Sequence, residues 1–252
     1  MIEILILSLI QGITEFLPIS SSSHLILISE YLEFENQSLS IDVSLHIGSF
    51  LAVIVYFYND IKDFFKNKII FYKILLSSLP IMIFGFFFVE FELINKFRNR
   101  EIIAWTTIIF GILLYLSDKI KVEKNIKENF DYKSVLIIGL MQILSLVPGV
   151  SRSGIAITAA RFLSFDRSEA AKISFLISIP ILGAVSIFGL KNLIFSESIE
   201  FTKLNLISII ISFIFSFLTI KYFIRYVKKF SLNIFVYYRV LLGFVLIIFA
   251  YL

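Results

Sequence analysis

Long apolar segments limit what this chain can fold into. Six of them are interpreted as complete membrane crossings, because each approaches the roughly 20 residues that a helix needs to span a bilayer. These crossings cover residues 43–58, 69–89, 102–117, 170–190, 205–224 and 233–252. A chain of 252 residues that is 58% hydrophobic and 17% charged also has more apolar surface than a soluble core of its size could bury. The sequence therefore predicts an all-α polytopic membrane protein.

Two further apolar segments, 2–32 and 134–165, are each interrupted midway by a polar cluster with proline and serine. The clusters run from Gln11 to His24 and from Pro148 to Thr158. Irregular backbone is tolerated at membrane depth only where protein or trapped water satisfies its polar groups. We therefore predict two re-entrant helix-loop-helix hairpins that enter the membrane and return, in addition to the six transmembrane helices.

The two hairpins resemble each other in sequence. Aligning QGITEFLPISSSS with QILSLVPGVSRS places Pro18 over Pro148 and Ser21 over Ser151. Each hairpin precedes three crossings, so we predict one membrane domain, 1–252, built as an inverted-topology repeat. The repeats are 1–117 and 134–252, joined by a basic linker at 118–133. Interrupted helices in corresponding places of two halves indicate a binding site near the membrane midplane.

Basic residues alternate between the two sides of the predicted membrane domain. One side carries Lys62, Lys66, Lys68, Lys119, Lys121, Lys124, Lys127, Lys133, Arg161, Arg167, Lys172, Arg225, Lys228 and Lys229. The other side carries Lys96, Arg98, Arg100, Lys191 and Lys203, and segment 30–42 has no basic residue. The positive-inside rule then places the first group in the cytoplasm, with both chain ends and the mouth of the first hairpin outside. The first residues lack the basic start of a signal peptide, so we expect them to belong to the mature fold.

The first hairpin carries side chains suited to phosphate chemistry. Gln11 and Glu15 lie one helical turn apart and share a face, and Pro18 ends that helix. A run of serines before the next helix provides hydroxyls and backbone N–H groups for an anion; the run is Ser20, Ser21, Ser22 and Ser23. Glu15 is suited to hold a divalent cation or a proton, and His24 to act as a base or nucleophile. The alternative is structural: the serines cap a helix and His24 satisfies a carbonyl.

The second hairpin places Arg152 in apolar sequence. A guanidinium there is costly unless it is paired, and its fork suits bidentate binding of phosphate or carboxylate. A structural ion pair with Glu15 is the alternative, and both roles are compatible. The accompanying candidates for phosphate binding are Ser151, Ser153, Gly149, Gly154 and Thr158. Outside the hairpins, we expect Asp42 to cap a helix and His46 to be a hydrogen-bond partner that supports the site.

Composition excludes several other chemistries. The chain has no cysteine, so a disulfide framework, a thiolate metal site and a cysteine nucleophile are excluded. A PAP2-type phosphatase motif, suggested by Ser151-Arg152, would need a histidine six residues after the arginine. Position 158 is threonine, and the two histidines are His24 and His46. A secondary transporter or lipid flippase stays open as an alternative, as does a purely structural role.

Four sequence blocks together resemble the bacterial undecaprenyl-diphosphate phosphatases associated with bacitracin resistance. The first runs from Gln11 through Glu15 and Ser21 to His24, and resembles the E/Q-x-x-x-E plus Ser/His motif of that family. The others are PGVSRSG at 148–154, DVSLHIG at 42–48 and FLISIP at 175–180. Two positions depart from the common pattern. Gln11 stands where many members have glutamate, and Ser23 stands where glycine usually precedes the histidine.

The resemblance implies hydrolysis of a C55 isoprenoid diphosphate at the outer face of the bacterial plasma membrane. The product monophosphate would be the lipid carrier recycled for cell-wall synthesis. We expect Arg152 and the serine N–H groups to hold the diphosphate, and Mg²⁺ or Ca²⁺ to bridge it to Glu15 with help from Gln11. Ser21 would be the nucleophile and His24 its base, unless His24 itself attacks or activates water. The expected partners are a polyprenyl diphosphate and the membrane, without nucleic acid, and a homodimer is left open.

Overall fold

A computed structural model describes residues 2–32, 34, 39–66, 68–122, 124–195 and 203–251. The described residues form α-helices joined by turns. In chain order these are α1 Ile2–Thr14, α2 Ser21–Tyr31, α3 Leu39–Tyr56, α4 Tyr58–Lys66, α5 Lys68–Glu90, α6 Leu93–Phe97, α7 Arg100–Asp118, α8 Ile126–Asn129, α9 Tyr132–Gln142, α10 Arg152–Phe162, α11 Arg167–Phe195, α12 Lys203–Val227 and α13 Asn233–Tyr251. A short 3-10 turn, Ile143–Leu146, follows α9.

Five of the described helices are long and apolar enough to cross a membrane. They are α5, α7, α11 over its residues 167–190, α12 and α13. Their positions match five of the six predicted crossings, and a polytopic membrane protein is confirmed at that level. The sixth predicted crossing, 43–58, lies mostly in α3, whose apolar part, Ser40–Tyr56, is shorter, and its last residue begins α4. Some predicted positions lie outside the described residues: 33 and 35–38 of the segment 30–42, 123 of the linker, and 252 at the end of the last crossing.

Helix packing relates the two halves of the chain. α1 packs against α12, and its counterpart α9 packs against α5. α3 packs against α12, and its counterpart α11 packs against α5. The counterparts α3 and α11 also pack against each other, as do α7 and α13. Exchanging the halves therefore maps these contacts onto one another. The packing agrees with the inverted-topology repeat, which together with the re-entrant path of the hairpins stays a prediction.

Both predicted hairpins are helix-turn-helix units, but the sequence alignment between them was one residue out of register. The second helix of each unit begins after a serine in the left-handed region, Ser20 with φ 72° and Ser151 with φ 72°. Three positions separate Pro148 from Ser151, whereas two separate Pro18 from Ser20. Ser20 therefore corresponds to Ser151. Ser21 corresponds to Arg152, because both are the first residue of their helix.

Each turn is held by a close contact with a neighbouring helix. In turn 1 (residues 15–20), Phe16 is fully buried and meets Phe175 of α11 edge-on, with ring centroids 5.3 Å apart. In turn 2 (residues 147–151), Gly149 has φ 94° and lies against Thr106, whose hydroxyl donates to the carbonyl of Pro148 at 2.7 Å. Glycine adopts this conformation without steric cost. Both turns are thus held by helices of the predicted membrane-crossing set.

The described residues of the predicted basic linker, 118–122 and 124–133, are folded onto the adjacent helix ends. It contains α8, and its Lys124 backbone N–H donates to the carbonyl of Ser164 at 3.1 Å. Asp118 at the end of α7 accepts from Arg167 Nε at 2.6 Å and Nη2 at 3.0 Å. The same carboxylate accepts from the backbone N–H of Leu232 before α13 at 3.1 Å. These bonds connect α7, α11 and α13 at the end of the molecule that carries the basic linker, called the basic end below.

Candidate active site between the two hairpins

Glu15 lies at the meeting point of the two hairpins and is 7% exposed. Its Oε1 accepts from Arg152 Nη2 at 2.8 Å. Its Oε2 accepts from Ser21 Oγ at 2.7 Å and from Gln11 Nε2 at 3.0 Å. One buried carboxylate is therefore bound by residues of α1, α2 and α10.

The local folding of each hairpin explains this convergence. Gln11 lies one turn before Glu15 on the first helix, as its spacing predicts. Ser21 and Arg152 are the first residues of α2 and α10. The N-termini of these two helices consequently point toward the same carboxylate from opposite halves of the chain. Their helix dipoles place positive potential at the point where an anionic substrate would enter.

Two buried polar atoms beside Glu15 have no hydrogen-bond partner among the described residues. They are the Oε1 atom of Gln11 and the Nη1 atom of Arg152. The Gln11 amide nitrogen also contacts His46 Nδ1 at 3.1 Å, so His46 reaches the site through Gln11. An unused acceptor and an unused donor thus flank the carboxylate. Most buried polar groups in proteins have a hydrogen-bond partner, so these two atoms are candidates to bind a water, an ion or a substrate oxygen.

The two helix starts differ in how they are capped. Ser151 accepts from the Gly154 N–H at 3.1 Å and so caps α10. Ser20 makes no such side-chain cap on α2. Its hydroxyl instead contacts Ser23 Oγ at 3.0 Å and Ser22 Oγ at 3.3 Å. The first N–H groups of α2 are therefore better placed than those of α10 to receive a phosphate oxygen.

His24 is not the hydrogen-bond partner of Ser21, contrary to the expected nucleophile–base pair. Its Nδ1 lies 2.7 Å from the carbonyl oxygen of Ser20, and its Nε2 lies 2.5 Å from the hydroxyl of Tyr238. The carbonyl can only accept, so Nδ1 carries a proton, and in the neutral imidazole Nε2 then accepts from the Tyr238 hydroxyl. Ser21 and His24 do not form a hydrogen-bonded pair because Ser21, at the start of α2, faces Glu15, while His24 faces α13.

The other candidates in the second hairpin mostly join the two hairpins to each other. Ser153 Oγ donates to the Leu17 carbonyl at 2.7 Å, and the Gly149 N–H donates to Ser20 Oγ at 3.3 Å. Gly154 provides space beside Arg239. Thr158 is buried in α10, about 9 Å along the helix axis from Arg152 at 1.5 Å per residue. Direct substrate contacts by these residues and by Ser151 stay predictions.

Asp42 does not occupy the cap position expected from the sequence. It lies in the first turn of α3, which already begins at Leu39. Since His46 is one turn further along α3, both residues remain on the helix that borders the site. The helix start was misplaced because segment 30–42 gave no apolar periodicity from which to locate it.

Sequence reasoning missed two residues of α13 that contact the hairpins. Tyr238 binds His24, and the rings are stacked with centroids 5.7 Å apart. Arg239 is fully buried and donates to backbone carbonyls of both turns. The signal for Arg239 was available, because an arginine inside an apolar crossing is a candidate functional residue by its cost alone. Nothing in the local sequence singled out Tyr238 among eleven tyrosines.

The site offers a partial set of oxygen ligands for a divalent cation. Gln11 Oε1 is an unpartnered acceptor beside the Glu15 carboxylate, and hydroxyls of the serine run lie nearby. The part of the chain that the structure describes contains no group of three His, Cys, Asp or Glu side chains that could hold a metal. Mg²⁺ is commonly held by one or two carboxylates together with substrate phosphates. The residues therefore fit a cation that a phosphate helps to bind.

Comparison with known proteins gives a consistent result. Residues 4–245 match the model of a family described as bacitracin resistance protein BacA. An undecaprenyl-diphosphatase of Pelagibacter ubique (strain HTCC1062) is 50% identical over 251 residues, which cover 99% of this chain and 98% of that protein. An undecaprenyl-diphosphatase of Jannaschia sp. (strain CCS1) is 36% identical over 260 residues, which cover 98% of this chain and 97% of that protein. This chain therefore belongs to the bacitracin resistance protein BacA family.

Proposed function

We propose that this protein is a membrane phosphatase that hydrolyses undecaprenyl diphosphate to undecaprenyl phosphate and inorganic phosphate. The observation that carries the proposal is the convergence of Ser21 and Arg152 on the two oxygens of Glu15. A hydroxyl, a carboxylate that can accept its proton and a guanidinium with a free donor suit phosphoryl transfer to a serine. The names of the two relatives support the substrate.

In the proposed first step, Ser21 Oγ attacks the terminal phosphorus of the lipid diphosphate. Its proton passes to Glu15 Oε2, which already accepts the Ser21 hydrogen bond at 2.7 Å. The bond between the terminal phosphorus and the bridging oxygen breaks, and its electron pair leaves with undecaprenyl phosphate. Arg152 and the first N–H groups of α2 stabilise the charge on the transferring phosphoryl group.

In the second step, water attacks the phosphorus of the phosphoserine and releases inorganic phosphate. The proton held by Glu15 returns to Ser21 Oγ, one water proton stays on the phosphate, and the other is released to solvent. His24 is the candidate base for this water, once its Nε2 leaves the Tyr238 hydroxyl. The geometry supports Glu15 rather than His24 as the proton acceptor of the first step.

A divalent cation, Mg²⁺ or Ca²⁺, is part of the proposal, held by Glu15 and the Oε1 atom of Gln11 together with the diphosphate. When bound, the ion would neutralise charge on the phosphate oxygens. Chelation with EDTA should abolish phosphate release, and added Mg²⁺ or Ca²⁺ should restore it. In the Gln11→Glu variant, half-maximal activity should require less cation, because a second carboxylate strengthens the binding of a hard cation. Full activity after exhaustive chelation would contradict this part of the proposal.

The prenyl chain needs an apolar path beside the phosphate site. A groove of about 420 Å³ starts at Leu17 of turn 1 and continues past Leu218 of α12 to Phe235 of α13. Leu17 belongs to the site as well, because its carbonyl accepts from Ser153. A photoreactive prenyl diphosphate should therefore label peptides around Leu218. Labelling confined to the α7–α13 groove at Leu241 would contradict this path.

The proposal includes a location in the bacterial plasma membrane, with the site open to the outer face and both chain ends outside. The distribution of basic residues supports this orientation. A C-terminal reporter that is active only outside the cytoplasm should be active, and one active only inside should be silent. The reverse result would invert the topology. The homodimer considered from the sequence stays a prediction.

The function is tested by reconstituting the protein in proteoliposomes and measuring inorganic phosphate released from undecaprenyl diphosphate. Ser21→Ala should lower the rate by about 1,000-fold or more, because it removes the nucleophile. Ser22→Ala is the matched control, since Ser22 is exposed and, among the described residues, its hydroxyl bonds to Ser20 and not to Glu15; its rate should stay within about threefold of the parent. Movement of the lipid across the bilayer without phosphate release would instead favour the transporter alternative.

A further inference from the structure

Arg239 is the least expected charge in the molecule. It lies in the middle of α13 and is fully buried. Its guanidinium donates four hydrogen bonds, and all four acceptors are backbone carbonyls: Thr107 at 3.1 Å, Pro18 at 3.1 Å, Val150 at 3.1 Å and Gly149 at 2.8 Å. Among the described residues no carboxylate forms an ion pair with it. The carbonyl dipoles satisfy four of its five N–H donors, while its positive charge is not neutralised by a counterion among the described residues.

The surrounding helices leave room for this side chain. A Cβ atom at Gly111 of α7 would lie 3.1 Å from Arg239 Cβ. A Cβ atom at Gly154 of α10 would lie 3.1 Å from Arg239 Nη1. Both distances are shorter than ordinary van der Waals contact, so two glycines on two helices provide the space that Arg239 occupies. The packing of α7 and α10 against α13 therefore leaves a space that the Arg239 side chain fills.

The acceptors of Arg239 connect it to both halves of the phosphate site. The Pro18 carbonyl belongs to turn 1, three residues before Ser21, and the Val150 carbonyl belongs to turn 2, two residues before Arg152. One nitrogen atom, Nη1, binds both carbonyls. The irregular backbone of the turns needs donors for its carbonyls at membrane depth. A single rigid fork that supplies them also sets the distance between the turns.

We propose that Arg239 is a positioning residue of the phosphate site. By binding both turns it holds the starts of α2 and α10 at the separation at which Ser21 and Arg152 meet the same carboxylate. The inference rests on the proposed phosphatase function. It assigns Arg239 no contact with substrate, so its loss should affect the rate of the chemical step more than substrate binding. A displacement of about 1 Å at a reacting group lowers rates by about 100-fold.

Arg161 provides a matched control. It is also a fully buried arginine that donates to backbone carbonyls, those of Phe165 at 2.5 Å and Ile120 at 2.7 Å. It lies at the basic end of the molecule beside Asp118, away from Glu15. Arg161→Lys and Arg239→Lys therefore impose the same chemical change at two buried sites, and only one of these sites borders the turns.

The experiment compares kcat and KM for phosphate release by monodisperse, folded Arg239→Lys, Arg161→Lys and parent protein, with the melting temperature measured in parallel. Both variants should melt several degrees lower, because each loses buried hydrogen bonds. Arg239→Lys should lower kcat by about 10- to 100-fold with KM within about threefold. Arg161→Lys should keep both constants within about threefold. An Arg239→Lys enzyme with parental kcat, or an equal loss in Arg161→Lys, would overturn the inference.

Gly111→Ala keeps the test decisive if Arg239→Lys fails to fold. The added methyl group pushes on Arg239 Cβ without removing the guanidinium. It should lower kcat by about three- to tenfold at unchanged KM. An unchanged kcat in this variant would count against the inference as well. If the parent protein releases no phosphate, the proposed function fails; if the parent is active and these variants match it, only the role of Arg239 fails.

Discussion

At the scale of single residues, the proposed chemistry of this protein depends on one buried carboxylate. Glu15 receives hydrogen bonds from Ser21, Arg152 and Gln11, and both of its oxygens are used. The ion pair with Arg152 is buried, with side chains 6% and 12% exposed. A substrate phosphate would compete with Glu15 for Arg152, and the unused Nη1 atom is a donor with which that exchange can begin.

The Glu15→Gln variant tests this arrangement. The amide cannot accept a proton from Ser21, and it leaves the Arg152 guanidinium without its counterion. Phosphate release per folded molecule should fall by about 100- to 10,000-fold. Glu30→Gln is the control, because its partner Arg100 forms an exposed ion pair at 2.6 Å; its rate should stay within about threefold. More than a tenth of the parental rate in Glu15→Gln would argue against Glu15 as proton acceptor.

At the scale of elements, each hairpin relies on a turn whose conformation few residues tolerate. Gly149 has φ 94°, and a Cβ atom there would overlap the Thr106 hydroxyl and lie 2.8 Å from the Ile103 carbonyl. Gly149→Ala should therefore lower the free energy of unfolding by about 2–4 kcal/mol through strain and overlap. Activity should fall with it, since turn 2 carries Arg152. The measurement is the melting temperature in detergent together with phosphate release.

Gly85→Ala is the control for this glycine. A Cβ atom at Gly85 of α5 would meet the Leu146 side chain at 3.5 Å, an ordinary contact. The variant should be as stable as the parent or up to about 1 kcal/mol more stable, because alanine favours a helix. Equal destabilisation by both alanines would show that turn 2 is not the sensitive element.

The start of α9, the first helix of the second hairpin, gives a prediction about pH. Asp131 in the linker accepts from the Ser134 N–H at 2.8 Å, and hydrogen bonds from the Ser134 side chain and backbone hold the pKa of Asp131 below its usual value. Because the pKa is lower in the folded state, the ionised carboxylate stabilises the fold at pH values above the unfolded-state pKa. This stabilisation is lost as pH falls through the folded-state pKa. Asp131→Ala should therefore cost about 1 kcal/mol at neutral pH and almost nothing at pH values below that pKa.

Asp131→Asn separates capping from charge. Asparagine caps a helix about as well as aspartate but does not titrate. Its melting temperature relative to the parent should be nearly unchanged at neutral pH, and it should lack the acid-dependent component. The measurement is a series of melting curves from neutral to acidic pH. An alanine variant whose deficit stays constant over the series would contradict the assignment.

At the scale of the whole molecule, a second buried cluster holds the end opposite the proposed site opening. Asp118 binds Arg167 and lies 3.6 Å from Arg161 Nε. Asp118→Asn should lower the free energy of unfolding by about 3–5 kcal/mol, since it leaves a buried guanidinium without a counterion. The kinetic constants of the folded fraction should stay within about threefold, because Asp118 does not contact the Glu15 site.

Asp60→Asn is the comparison for Asp118. Asp60 pairs with Lys172 at 2.5 Å, but both side chains are about one-third exposed. Its loss should cost at most about 1 kcal/mol. Denaturation in detergent, followed by loss of helical signal, gives both values. Equal stability of the two variants would mean that the Asp118 cluster does not hold the basic end.

The amino-acid sequence by itself determined where the membrane-spanning helices lie and which two segments are interrupted. Helix length and apolarity are local properties, so five of the predicted crossings coincide with helices of sufficient length. The pairing of Arg152 with Glu15 was among the alternatives for a similar reason. An isolated guanidinium in an apolar hairpin is so costly that its partner must be one of the few carboxylates at a similar depth in the membrane.

Only the tertiary structure decided which groups meet. A one-residue difference in turn length put Ser20 rather than Ser21 opposite Ser151, and that register directs Ser21 to Glu15 and His24 to Tyr238. Arg239 reaches turn 1 across 221 positions of sequence, a distance over which hydropathy and motif spacing carry no information. Long-range contacts of this kind depend on backbone conformation at the turns and on helix packing. In physical terms, the cost of burying each polar group follows from its residue type, whereas the partner that offsets this cost depends on the fold.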